Sequence, residues 1–187
     1  MSGVSPTGPD GIVLLGAPGA GCGSVARALG RAMGLPVRDL GAVVAERLGV
    51  EESLALVAVG EERYRRVEAE AACALLADLA GTVTALGSGC LADAGVRSAL
   101  ERARCGGART VLLTATTRRL ATRNGLDAPR SVALGNVHHA FTQMLRARED
   151  LCRRAAGAEA VVVDTTSTTP EQAAAETAGL LGAPAPS

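Results

Sequence analysis

The stretch GAPGAGCGS, residues 16–24, decides the fold of this chain. An apolar run at residues 12–15 precedes it, and a segment with helical periodicity, residues 25–33, follows it. A glycine-rich turn between a strand and a helix binds phosphate through backbone N–H groups, and Gly16 and Gly21 have the spacing of G-x-x-x-x-G-K-[ST]. The predicted nucleotide- or anion-binding residues of this loop are Gly16, Gly19, Gly21, Cys22, Gly23 and Ser24.

Two side chains of that pattern are missing from the loop. Cys22 stands at the lysine position and Gly23 at the position of the Ser or Thr. All 19 basic residues of the chain are arginines, so no lysine from elsewhere in the chain can replace the missing one. Ser24 lies one residue later, about 100° further round the helix. The loop therefore predicts anion binding without the usual means of phosphoryl transfer.

The composition limits the class of protein. The 187 residues suffice for one domain, which we place at residues 11–182, with a disordered lead at 1–10 and a tail at 183–187. One Phe, one Tyr and no Trp, together with a net charge of zero, argue against a nucleic-acid partner. No run reaches the roughly 18 apolar residues of a membrane span, and five scattered cysteines are typical of a reduced, cytoplasmic protein. Neither a disulfide framework nor a metal site is predicted.

Apolar strands alternate with helical segments along the chain. Short strands are predicted after the first helix at LPVRDLG, then at TVTALGSG, RTVLLTA and EAVVVDT, with helices near 42–48, 61–80 and 94–104. Residues 117–155 are predicted to be mainly helical, with a break at NGLDAPRSVALG, and Pro170 begins the last helix. This order predicts a three-layer α/β/α sandwich around a parallel sheet of about five strands.

The order of these motifs resembles the shikimate kinase family of P-loop kinases over residues 12–181. GLPVRDLG resembles the family's strand ending in Asp-x-Asp, and GEERYRRVE its Gly-Glu-x-x-Phe-Arg-x-x-Glu motif. LGSGCLADAGVRSAL resembles its triple-glycine loop, RNGLDAPRS its arginine-bearing lid, RAREDLCRRAA its substrate-gripping helix and VVVDTTSTTPEQ its adenine-pocket strand end. The resemblance implies a shikimate-kinase-like fold with a lid near residues 118–135.

The resemblance implies roles for individual residues. Arg65, Arg130 and Arg148 match the arginines that bind the substrate carboxylate and shield the transferred phosphate, a role that suits the planar guanidinium fork. Arg123 matches the lid-base arginine that stacks on adenine, and Pro170 the wall of that pocket. The substrate-binding residues implied by the resemblance are Arg65, Arg130, Arg148, Gly87, Ser88 and Gly89.

Other family positions are altered. Cys22 and Gly23 replace the lysine and the magnesium-binding hydroxyl, and Gly41 replaces the second Asp, which binds the substrate's hydroxyls. Asp39 keeps the first Asp, which helps to hold magnesium through water, and Ser88 interrupts the triple glycine. Each preorganised donor lost at a developing charge costs about 10² to 10³ in rate, so the combined loss is about 10⁴ or more. The sequence thus predicts a degenerate family member.

No residue is assigned a catalytic role. The candidates are Asp39, Arg130, His138, His139 and Cys22. The two histidines could include an acid–base group, but adjacent helical residues point about 100° apart, so solvated positions are the simpler interpretation. Cys22 at a helix start could be nucleophilic, or it could fill the space that lysine has left.

Three functions remain open from the sequence. The first is a homologue that binds shikimate or a related cyclic hydroxy acid, or its phosphate, with phosphotransfer lost or impaired. The second is an ATP-independent enzyme that catalyses elimination or isomerisation of such an acid, and the third is a weakly active kinase. ATP and magnesium are expected only with residual kinase activity. The expected partner is a small carboxylate or phosphate ligand, with a protein partner or a homodimer left open.

Overall fold

The computed structural model describes residues 11–125 and 135–182, except for the side chains of residues 135–138. The predicted disordered lead, the tail, and half of the predicted lid, residues 126–134, lie outside this part of the chain. Arg130 and the side chain of His138 lie outside it as well.

The strands form one parallel sheet in the order β2-β3-β1-β4-β5, so the first strand lies at its centre. This confirms the predicted five-stranded parallel sheet. The strands are β1 (Ile12–Gly16), β2 (Val37–Asp39), β3 (Val83–Ala85), β4 (Arg109–Thr114) and β5 (Val161–Asp164).

Helices connect the strands and cover both faces of the sheet. In the described residues the α-helices are α1 (Cys22–Met33), α2 (Leu40–Leu48), α3 (Ala55–Val59), α4 (Glu61–Ala77), α5 (Ala94–Cys105), α6 (Thr117–Arg123), α7 (Gly135–Ala156) and α8 (Pro170–Leu180). Two short 3₁₀ segments cover Glu52–Leu54 and Cys90–Ala92. Among the described residues, no helix has both the length and the apolar character that crossing a membrane requires.

Successive side chains of β1 point to opposite faces of the sheet and so divide the hydrophobic core into two layers. Val13 and Leu15 pack with α2, α4, α5 and the end of α7, whereas Ile12 and Leu14 pack with α1 and α8 on the other face. All four side chains are fully buried. Strands buried on both faces are typical of parallel sheets, and the predicted three-layer sandwich is confirmed.

Helix ends differ from their predicted positions for local reasons. Helix α2 begins at Leu40, earlier than predicted, because the Asp39 carboxylate accepts a hydrogen bond from Gly41 N and caps the helix. Helix α4 ends at Ala77, three residues short of the predicted 80. Helix α8 begins at Pro170 as predicted, where Thr169 and Gln172 form a reciprocal capping box.

Parallel pairing places the site. The carboxyl ends of β1, β2 and β3 lie at one edge of the sheet, so the loop after Gly16, the side chain of Asp39 and the turn after Ala85 are neighbours. Ligands of open α/β sheets bind at this edge. The candidate site is therefore sought there.

The core predicts a clear difference between two leucine truncations. Leu14→Ala removes a side chain that is fully buried beneath α1 and should lower the free energy of unfolding by about 2–5 kcal/mol. Leu180→Ala, at a position that is 54% exposed, is the matched control and should change it by less than about 1 kcal/mol. Urea unfolding followed by circular dichroism measures both. Equal losses would contradict the assignment of Leu14 to the core.

Candidate functional site

The loop after β1 adopts a conformation that requires glycine. Gly19 and Gly21 have φ values of 86° and 95°, which side chains rarely adopt, and Gly21 is the N-cap of α1. A methyl group on Gly16 would come within 2.8 Å of the Ala20 Cβ atom. The turn and the free N–H groups of the helix start are retained, and these are the groups that attract an anion.

Helix α6 holds this loop from outside. Arg123 donates hydrogen bonds to the Gly19 carbonyl at 2.9 Å, to the Thr165 carbonyl at 2.6 Å and to the Thr165 hydroxyl at 3.1 Å. Asn124 donates through Nδ2 to the Pro18 carbonyl at 3.1 Å. The loop is thereby tied to the residues that follow β5.

A cavity of about 380 Å³ lies beside this contact. Its walls include Gly21, Ser24, Arg119, Arg123 and Pro170. The hydrogen bonds of Arg123 use the edge of the guanidinium group, which leaves the planar face able to stack on an aromatic ring. Burial, and then the neighbouring Arg119, lowers the pKa of Arg123. The predicted adenine-pocket residues Arg123 and Pro170 thus line one cavity with the glycine loop.

Asp39 is engaged by its own chain on both carboxylate oxygens. Oδ2 pairs with Arg27 at 3.3 Å, and Oδ1 accepts from Gly41 N at 3.1 Å. Arg27 also donates to the Ser24 hydroxyl at 3.5 Å. A methyl group on Gly23 would overlap the Asp39 carboxylate and come within 3.3 Å of the Arg27 guanidinium group. The space beside Gly23 is therefore filled by an ion pair.

A second cavity, of about 450 Å³, joins the glycine loop to the turn after β3. Its lining includes Gly41, Glu52 and Tyr64 on one side and Gly87, Ser88 and Gly89 on the other. Gly87 has a φ of 67°, and Ser88 is buried. The predicted substrate turn and the predicted anion loop are brought together in this cavity.

Arg65 and Arg148, which were predicted to bind the substrate, approach Gly89 from outside that cavity. Arg148 donates to the carbonyls of Ser88 at 3.1 Å and Gly89 at 3.4 Å. Arg65 pairs with Glu68 at 2.8 Å and lines an adjoining cavity of about 670 Å³, which shares Glu68 and Gly89 with the 450 Å³ cavity. Both guanidinium groups are thus held in place by the chain, close to the turn.

Cys22 does not have the environment of a nucleophile. Burial is the main cause that raises the pKa of its thiol to about 12, and the proximity of Cys152 and Asp39 adds to the rise. The thiol is protonated at neutral pH, and a protonated thiol is a poor nucleophile. This environment fits the alternative that Cys22 is a small packing residue.

The predicted histidine candidate His139 lies away from both cavities. Its ring is exposed on α7 and is hydrogen-bonded to Gln143 at 2.9 Å, one turn along the same helix. It is not among the residues that line the cavities described above. A solvated helix position accounts for it.

Arg27 and Glu52 belong to the site but escaped sequence reasoning, which gave Thr165 only a structural role at the end of the last strand. Arg27 contacts Asp39 from twelve residues away, and Thr165 reaches across the sheet to the Ala20 carbonyl at 2.9 Å. Spacing along the chain carries no signal for such contacts. One signal was available for Arg27, because it lies one turn beyond Gly23 on the predicted helix.

A parallel sheet of order β2-β3-β1-β4-β5 with a glycine-rich loop leading from its central strand into a helix defines a P-loop kinase type of fold. Residues 18–181 match the family model described as Shikimate kinase. The shikimate kinase of Thermobifida fusca is 36% identical over 162 residues, which cover 87% of this chain and 89% of that protein. That of Frankia casuarinae is 35% identical, over 91% of this chain and 72% of its own length. The chain belongs to the shikimate kinase family.

Solved structures show the same fold. A shikimate kinase from Acinetobacter baumannii in complex with shikimate superposes with a TM-score of 0.75 at 22% identity, covering 94% of this chain and 93% of that one. A gluconokinase from Sinorhizobium meliloti superposes with a TM-score of 0.54 at 18% identity, over 93% of this chain and 92% of that one.

The family normally uses ATP and magnesium, and the two fit this chain unequally. The glycine loop, Arg123 and Pro170 suit a nucleotide. For magnesium, the hydroxyl ligand that the P-loop pattern has at position 23 is missing, because this residue is a glycine. The Asp39 carboxylate and the Ser24 hydroxyl are both hydrogen-bonded to Arg27. The described residues contain no group of three or more His, Cys, Asp or Glu side chains suited to a metal ion. The residues at the loop therefore do not form a suitable site for a magnesium ion.

The thiols predict a labelling pattern. Cys22 and Cys152, each with a pKa of about 12, carry a thiolate fraction of about 10⁻⁴ at pH 8. The exposed Cys105 should react with iodoacetamide first, whereas Cys22 and Cys152 should react only after unfolding. Because the raised pKa keeps these thiols neutral, the labelling of native Cys22 should not increase between pH 6 and pH 9. Mass mapping of the labelled peptides measures this, and labelling of native Cys22 with a midpoint below pH 9 would contradict it.

Proposed function

We propose that this chain binds shikimate or a related cyclic hydroxy acid near Arg65 and Arg148, and that its transfer of phosphate from ATP is lost or severely impaired. The observation that carries the proposal is the contrast within one site. The arginines remain at the Ser88–Gly89 turn, while the ion pair of Arg27 and Asp39 fills the space beside Gly23.

The arginines suit a carboxylate ligand. Arg148 uses only Nη1 for the two carbonyls of the turn, and a guanidinium group has five N–H donors. Arg65 is 36% exposed and is shared with Glu68 and Glu61, so a ligand carboxylate would compete with Glu68 for it. A planar carboxylate can therefore be bound by Arg148 without loss of its contacts to the turn, and by Arg65 in exchange for part of its pairing with Glu68.

Impaired phosphotransfer follows from the charges at the loop. Phosphoryl transfer depends on positioned positive charge, supplied in P-loop enzymes by a lysine and magnesium. Position 22 carries a neutral thiol, and the nearby cation, Arg27, is neutralised by Asp39. The expected rate is about 10⁴-fold or more below ordinary kinase turnover of about 1 to 100 per second.

A weakly active, ATP-dependent shikimate kinase is the second candidate. The nucleotide cavity supports it, since Gly19 and Gly21 keep the loop conformation and Arg123 lies against it with Pro170. The likeness to curated shikimate kinases along most of the chain supports it as well. The rate of phosphate transfer separates the two candidates.

The affinity for shikimate tests whether Arg148 binds the ligand. Arg148→Ala should weaken the binding of shikimate at least about tenfold, because a charge-assisted hydrogen bond contributes about 1.5–3 kcal/mol. Arg153→Ala, one turn further along α7 and paired only with Glu149 among the described residues, is the matched control and should leave affinity unchanged. Isothermal titration calorimetry measures both. Absence of binding in the parent protein, or equal affinity in Arg148→Ala, would overturn this part of the proposal.

Catalysis and nucleotide affinity test the loop. A coupled assay with ATP and shikimate should give turnover at or below about 10⁻² per second, and turnover near 10 per second would overturn the impairment. Cys22→Lys should improve ATP affinity about tenfold by restoring the missing charge. Cys22→Met, of similar length without the charge, is the control. Equal ATP affinity in the two variants would place the defect elsewhere in the loop.

A further inference from the structure

The side chain of Glu52 fills the space that Gly41 leaves open. A methyl group on Gly41 would overlap the Glu52 carboxylate and would lie 3.5 Å from Asp39 Oδ1. Glu52 belongs to the 3₁₀ segment before α3, eleven residues beyond Gly41, so its carboxylate arrives from a different element. A carboxylate therefore stands where a short acidic side chain at position 41 would project.

The cavity that Glu52 lines carries different charged groups at its two sides. Glu52 and Gly41 form one side. Ser88 and Gly89 form the other, where the Arg148 guanidinium group donates to their carbonyls from behind and the Glu68 carboxylate, paired with Arg65, lies beside Gly89. Leu40, Leu86 and the Tyr64 ring lie among the remaining lining residues. Such a cavity suits a ligand with an acid group at one end, an apolar ring, and hydrogen-bond donors at the other end.

Tyr64 is part of the same environment. Burial is the main cause that raises the pKa of its phenol, and the nearby Glu68 and Glu52 carboxylates add to the rise against the opposing effect of Arg65. The phenol stays protonated at neutral pH. The charged acceptor at this side of the cavity is thus a carboxylate.

We propose that Glu52 is a specificity-determining residue, whose carboxylate accepts hydrogen bonds from the ring hydroxyls of the bound acid in place of a side chain at position 41. This inference rests on the proposed function, and it deepens that function by naming how hydroxylated acids are separated from plain ones. A site that hydrogen-bonds a ligand hydroxyl rejects the analogue that lacks it, because its polar group is then left unpaired.

The test compares two acids. Shikimate carries ring hydroxyls, and cyclohex-1-ene-1-carboxylate has the same ring acid without them. Glu52→Ala should weaken shikimate binding about tenfold or more and leave the affinity of the hydroxyl-free acid within about twofold. Glu51→Ala is the matched control, since Glu51 is an exposed neighbour that accepts a hydrogen bond from Ser53 at 2.8 Å. It should change neither affinity.

A rescue variant tests the shared position. Gly41→Asp combined with Glu52→Ala returns a carboxylate to the same space from the other element, and it should recover most of the lost shikimate affinity. Gly41→Asp alone should lower the melting temperature more than the same change in the Glu52→Ala background, because only the first meets the Glu52 carboxylate. This second readout needs no ligand.

The outcomes separate the two proposals. Binding of both acids with equal affinity, or equal loss of both in Glu52→Ala, overturns the role of Glu52 and leaves the arginine site standing. Absence of binding of either acid to the parent protein overturns the proposed function, and the ligand role of Glu52 with it. Equal drops in melting temperature for Gly41→Asp in both backgrounds overturn the placement of the Glu52 carboxylate.

Discussion

The parallel pairing of β1 with β3 on one side and β4 on the other determines where the site can be. Because β1 is fully buried on both faces, its carboxyl end cannot move without disturbing both layers of the core. The glycine loop starts from that end, and the turn after β3 runs beside it in register. The loop is then fastened a second time by the bonds of Arg123 to Gly19 and Thr165. The glycine loop is thus held in place both by the central strand and by α6.

The site contains several charged side chains, and two of its arginines form ion pairs with carboxylates of the same chain. Arg27 is paired with Asp39, and Arg65 with Glu68, in each case across positions where the resemblance implies that a ligand or metal would be bound. The Arg27–Asp39 pair is partly exposed and contributes little to stability, whereas Glu68 is buried and depends on Arg65 as its partner. Their effect is on the field of the cavity, because a paired guanidinium group attracts an incoming anion less than a free one.

The sequence predicted most of the framework, because each strand is a short apolar run followed by a turn signal. The sheet, the three layers and the helix start at Pro170 follow from such local patterns. Residues 55–59 were not predicted as a helix, since five residues are too few to show a period. The predicted site residues Arg65, Arg148, Ser88 and Gly89 do lie together. What local patterns could not supply is what fills the space at glycine positions, because Glu52 and Arg27 arrive there from distant elements.

Gly23 and Gly41 share a consequence for how this sequence can change. A serine at position 23 meets the Asp39 carboxylate, and an aspartate at position 41 meets that of Glu52. At position 41 the contacted atom is the end of the exposed, flexible Glu52 side chain, which can turn aside. At position 23 it belongs to Asp39, which is held by Arg27 and by the N–H of Gly41. The two glycines therefore differ in how readily each accepts a side chain, and the outcome at position 23 depends on the ion pair beside it.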